Sequence, residues 1–156
     1  MRKSSCAAVL LLLMVLPLAA QTAPAPDFTG TWVLNLAKSV PGKDSTVKEE
    51  TIVIANKKST VVFSYKTDGK KSTEKYTPDG QPRVMQDLSS GELISKARWQ
   101  GSSLIIESTL QIKIPNVTVN VTGLKPVVDT WTLASDGQTL SHESEDPKEV
   151  FVYEKK

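Results

Sequence analysis

The sequence predicts an all-β domain: an antiparallel up-and-down meander of about 8–10 strands closed into a barrel, with a two-layer β-sandwich as the alternative. Three observations predict it. From Asp27 onward the apolar residues recur with period 2, and no stretch carries them at the spacing of an amphipathic helix. Turn signals interrupt the alternation at short intervals, as Asp68-Gly69, Pro78-Asp79-Gly80, Ser90-Gly91, Gln100-Gly101-Ser102 and Ser135-Asp136-Gly137. Each strand also pairs an apolar face with one carrying Lys, Glu, Thr and Ser, so one side of the sheet is wet. A twisted sheet of that many strands curls, and closure removes its exposed edges.

The N-terminus reads differently. Arg2 and Lys3 precede the apolar run Ala7 to Leu16, and Leu18-Ala19-Ala20 offers the small residues of a cleavage site. Residues 1–20 are therefore expected to be an export signal, too short in its apolar run for a bilayer span, which needs about 20 residues. Gln21 to Pro26 form a Pro/Ala-rich spacer, and 27–156 form the one expected domain. With Arg2 and Lys3 gone, the basic residues fall from 19 to equal the 17 acidic ones, so no excess charge points to nucleic acid or an anionic membrane. Cys6 leaves with the signal, and with it disulfides, thiolate metal sites and cysteine nucleophiles. A hydrophobic core must then supply the stability. The destination is periplasmic or extracellular, and the sequence does not separate the two.

Strands are expected at 29–36, 46–56, 59–67, 70–77, 82–88, 91–99, 102–114, 116–123, 126–134, 138–145 and 148–155. In the first, alternation puts Phe28, Gly30, Trp32 and Leu34 on one face. The longest is also the most regular, with Leu104, Ile106, Ser108, Leu110, Ile112 and Ile114 against Ile105, Glu107, Thr109, Gln111 and Lys113. Pro115-Asn116 breaks it, because proline cannot donate to a ladder. Lys57-Lys58 and Lys70-Lys71 beside turns discourage edge-to-edge pairing. An outer-membrane barrel would need a lipid-facing apolar band with aromatic girdles. Strands rich in Lys and Glu, with aromatics at only 6%, exclude it.

Gly30-Thr31-Trp32 resembles the Gly-x-Trp of the first strand in lipocalins and their calycin relatives, and FTGTWVLNLAKS is similar to the opening of secreted bacterial proteins with a lipocalin-like domain. The hairpin Trp131 to Leu140 and the final Val150-Phe151-Val152-Tyr153-Glu154-Lys155 are similar to their closing strands. The Thr-Asp-Tyr motif and the late Arg of lipocalins have no counterpart. What the resemblance implies is a lipocalin-like barrel serving as a calyx for one small apolar ligand, with no catalytic residues to transfer. Gly30 and Trp32 would close the barrel base, with Lys155 or Lys156 in place of the arginine that packs over the tryptophan.

Catalytic chemistry is thin. His142 is the single imidazole and shares a face with Leu140, which reads as a solvent-touching or hydrogen-bonded strand histidine. A nucleophile elbow, paired metal-ligand spacings and glycine-rich phosphate loops are absent from the sequence, so no metal or cofactor is expected. Glu49-Glu50 and Glu143/Glu145 read as solvated acidic edges. Asn116-Val117-Thr118 and Asn120-Val121-Thr122 fit the glycan acceptor pattern and are incidental in a bacterium.

The functional candidate is the barrel interior, expected to be lined or filled by Phe63, Trp99, Leu104, Ile106, Leu110, Val119, Val121 and Trp131. Three readings compete. A binder of a small hydrophobic molecule needs an interior cavity. A structural or interaction module has a filled core. An enzyme on the same barrel needs a polar cluster at the mouth, with His142 and Arg98 as its members.

Overall fold

The computed structural model describes residues 25–89, 91–114, 117–119 and 125–156. The expected signal, most of the spacer, the Pro115-Asn116 break and Val121 lie outside the described residues. Among those described, eleven strands form one antiparallel sheet: β1 (Gly30–Leu34), β2 (Glu50–Lys57), β3 (Thr60–Thr67), β4 (Lys70–Tyr76), β5 (Arg83–Leu88), β6 (Gly91–Gln100), β7 (Ser103–Ile114), β8 (Val117–Val119), β9 (Val127–Leu133), β10 (Thr139–Glu145) and β11 (Lys148–Lys155). A single 3-10 turn, Leu36–Lys38, follows β1.

The sheet order is β4-β3-β2-β1-β11-β10-β9-β7-β6-β5, with β8 paired to β7 off this path. The first strand is thus stitched to the last, with Trp32 opposite Lys155, and ten strands curl into a nearly closed barrel. β4 and β5 are the two ends of the path and share no ladder, so the wall is open between them. Their connection begins closed: Asp79 bridges to Arg98 and the Gly80 N–H donates to the Ala97 carbonyl at 2.8 Å, which ties it to β6. Beyond it the two strands run up the barrel without pairing.

Period 2 does what a curled sheet demands. One side of the alternation supplies the buried cluster of Phe28, Trp32, Ile52, Ile54, Phe63, Leu104, Trp131, Leu140 and Tyr153, and the other faces water. At the base, Trp32 is fully buried and its indole Nε1–H donates to the Phe28 carbonyl at 2.9 Å. Phe28 meets Trp99 edge-on at 5.2 Å. Lys155 places its Nζ 5.3 Å from the centre of the Trp32 ring. Gly30 makes this possible: its φ of +154° favours glycine, and a Cβ there would come within 2.8 Å of Lys155 Cε. The Gly-x-Trp spacing is therefore the geometry that lets a lysine stem cross the strand and cap the indole.

At the opposite end Gly91 lies pressed against β7. A Cβ at this position would sit 2.3 Å from the Gln111 carbonyl oxygen, a backbone atom that cannot swing aside. Gly91→Ala should lower stability by about 1–3 kcal/mol through that overlap. Urea unfolding of the variant beside the native protein checks it.

Candidate functional site

Above the basal plug, Phe63, Trp131 and Tyr153 form an aromatic tier, with Phe63–Trp131 centroids 5.0 Å apart and Trp131–Tyr153 5.7 Å. The barrel is hollow over this tier. The hollow measures about 940 Å³, opens to solvent, and is bordered at the gap between β4 and β5 by the exposed Ser72 and Glu74 on one strand and by Val84 and Gln86 on the other. Ile106, Trp131 and Phe151 line its apolar part, and Val47, from the connection between β1 and β2, also borders it.

The remaining lining is polar, and strand register explains why it points inward. Glu50 shares parity with the buried Ile52 and Ile54, Glu74 lies opposite Phe63, and Asp129 lies opposite Ile106. Tyr153 donates its hydroxyl to Glu50 at 2.6 Å, and Thr67 donates to the other oxygen of that carboxylate. Tyr76 and Tyr65 both donate to Glu74, at 2.9 and 3.3 Å. Ser95 and Ser108 bond each other at 2.8 Å across β6 and β7. His142 stacks on Trp131 with centroids 4.3 Å apart and planes 10° off parallel, and its Nε2 lies 3.0 Å from Asp129 Oδ1.

Burial pushes the phenol pKa of each of these tyrosines well up, and the neighbouring carboxylates push further: Glu74 at Tyr65 and Tyr76, Glu50 at Tyr153. They are all the tyrosines the sequence has. The unfolded chain loses phenol protons near pH 10, before the folded one does, so the stability these groups give is intact below about pH 10 and declines as the pH rises above it. Phenolate absorbance should accordingly stay flat through the ordinary tyrosine range and rise only with unfolding. A smooth ionisation near pH 10 with the fold intact would contradict the buried belt.

Of the residues singled out in the sequence, Ile106 and Trp131 line the cavity, while Phe63 and Leu104 are buried in the packed core beneath it. Trp99 borders a separate hollow of about 620 Å³ at the basal end, beside Thr29 and Asn56. Leu110 is 37% exposed. The reason is local: β7 pairs with β9 only from Ser103 to Ser108, so at Leu110 the β9 ladder has ended while β6 still pairs on the other side. The Val119 side chain lies outside the described residues. His142, expected to touch solvent or bond, is bonded and only 17% exposed at its side chain, whereas Arg98 pairs with Glu107 on the outer face. The two are not brought together. Among the described residues no group of three or more His, Cys, Asp and Glu side chains converges to hold a metal, and no helix is long and apolar enough to cross a membrane.

No family model matches the sequence, and no curated protein is similar to it. Solved structures share its backbone. The REP1-NXSQ fatty acid transporter superposes with a TM-score of 0.58 over 83% of this chain and 96% of that one, at 12% identity. The fatty-acid-binding protein 1 of Echinococcus granulosus gives 0.58 at 15% identity, over 82% of this chain and 96% of that one. Lipid binding protein 8 of Caenorhabditis elegans gives 0.58 at 14%, over 83% and 95%. The fold is that of a calycin-type barrel. At these identities the likeness carries the architecture and no residue roles.

Proposed function

We propose that this chain is an exported, non-catalytic carrier that holds one small hydrophobic molecule inside its barrel. The observation that carries the reading is the cavity of about 940 Å³ bounded by Ile106, Trp131 and Phe151, with polar groups gathered on the other walls. Ligand sites are concave, largely apolar and fitted with a few placed polar groups, and their volumes run from about 300 to 1,000 Å³. A filled-core module would have side chains where this hollow is. Structural neighbours whose names give fatty acids or lipids as ligands support the same reading. Export rests on the Arg2-Lys3 start, the apolar run and Leu18-Ala19-Ala20.

Native mass spectrometry of residues 21–156 tests the reading. A one-to-one adduct that organic extraction removes, and that returns on exposure to a dodecyl alcohol, is the expected result. A bare mass before and after exposure would overturn it.

A further inference from the structure

We infer that the cavity is built for an amphiphile with a cationic, amine-type head group, and that it rejects one ending in a carboxylate. The inference rests on the container reading above and adds the class of the ligand's polar end.

The argument is one of charge and placement. Three carboxylates line the cavity, Glu50, Glu74 and Asp129. The one lysine or arginine among the described lining residues is Lys75, which lies opposite Val62 on β3, whereas the neighbouring Glu74 lies opposite the core residue Phe63. Within the cavity no arginine or lysine is set against the acids. Their partners are hydroxyls from Tyr153 and Thr67 at Glu50 and from Tyr65 and Tyr76 at Glu74, and the His142 imidazole at Asp129. Hydroxyl donors leave the negative charge of a carboxylate in place, and a carboxylate retains lone pairs after accepting one or two bonds. A second carboxylate brought in by a ligand would meet like charge in a partly desolvated space. An ammonium would meet opposite charge, and its hydrogens would find free acceptors.

A second feature points the same way. The carboxylates stand among aromatic rings: Tyr65, Tyr76 and Tyr153 as their hydroxyl donors, and Trp131 stacked on His142 beside Asp129. Rings within about 6 Å of a cation attract it through their quadrupole, and the attraction strengthens where water is excluded. The acids do not converge as a metal cluster does. Glu74 and Asp129 stand level with Phe63 and Ile106 across their ladders, so the surfaces for a head group and for an apolar tail lie side by side on the wall.

Three probes with the same dodecyl chain and different ends decide it: dodecylamine, dodecanol and dodecanoic acid, titrated calorimetrically at pH 7 below their micelle concentrations. The amine should bind at least about tenfold tighter than the acid, with the alcohol between. In the variant carrying Glu50→Gln, Glu74→Gln and Asp129→Asn, whose amides still accept hydrogen bonds, that preference should vanish, with circular dichroism and the thermal midpoint showing that the variant is folded. Acid binding as tightly as amine in the native protein would overturn the head-group assignment and leave the container standing. Failure of all three probes would overturn the container reading itself, and a preference that survives the triple variant would remove these carboxylates as its source.

Discussion

Trp32→Ala should cost the fold roughly 3–5 kcal/mol, a large share of the about 5–15 kcal/mol that holds an ordinary domain folded. The indole is fully buried, its Nε1–H is committed to the Phe28 carbonyl, and Lys155 caps it from the strand across the seam. Alanine leaves a hole at the junction of β1 and β11, where a ladder joins the first described strand to the last. Lys155→Met removes the cation and keeps the stem, so its effect should be small, about 0.5–1 kcal/mol. Urea unfolding of both variants checks the ranking. A Trp32→Ala protein as stable as the Lys155→Met one would mean that the basal plug does not hold the barrel shut.

Ser108→Trp should abolish binding of apolar probes, weakening it by about a hundredfold or more, while the protein stays folded. Ser108 lines the hollow beside Ile106 and opposite Ser95, so an indole placed there occupies the volume the ligand would use. The space is already empty, so the substitution fills a void and does not overpack a core. The lost Ser95 hydrogen bond is worth about 1 kcal/mol. Fluorescence titration with dodecanol, set beside the thermal midpoint, separates the two effects. Undiminished affinity with an unchanged midpoint would place the ligand elsewhere.

The architecture was legible because each strand is short, alternating and closed by a turn with a clear chemical signal. Asp68-Gly69, for example, sits between β3 and β4, with Asp68 at φ 46° and Gly69 at 82°. The basal plug was legible too, since Phe28, Gly30 and Trp32 share parity on one strand. Leu110 was not: its alternation continues that of Leu104 and Ile106, and only the end of the β7–β9 ladder at Ser108 leaves it exposed beside β6. Parity counts faces; it does not say where along a strand the barrel ends.

The polar lining was hidden by the same rule used too simply. Glu50 looked like half of a wet Glu49-Glu50 pair, although it has the parity of Ile52. In β4 the run Lys-Lys-Ser-Thr-Glu-Lys offers no apolar face at all, so Glu74 could be assigned an inward position only once Phe63 was seen across from it. A hollow barrel needs fewer apolar residues inside than a packed one, which makes its wall read as surface. Composition alone cannot separate a polar residue facing bulk water from one facing an enclosed space.

The central claim is that a small apolar molecule lies inside the wall, over Trp131. Intermolecular nuclear Overhauser contacts from dodecanol methylenes to the labelled protein test it most directly. Cross-peaks to the Trp131 ring, the Ile106 methyls and the Phe151 ring are the expected result, since all three line the hollow. Cross-peaks confined to the exposed Val33 and Val53 on the outer face, with none to Trp131, would contradict it.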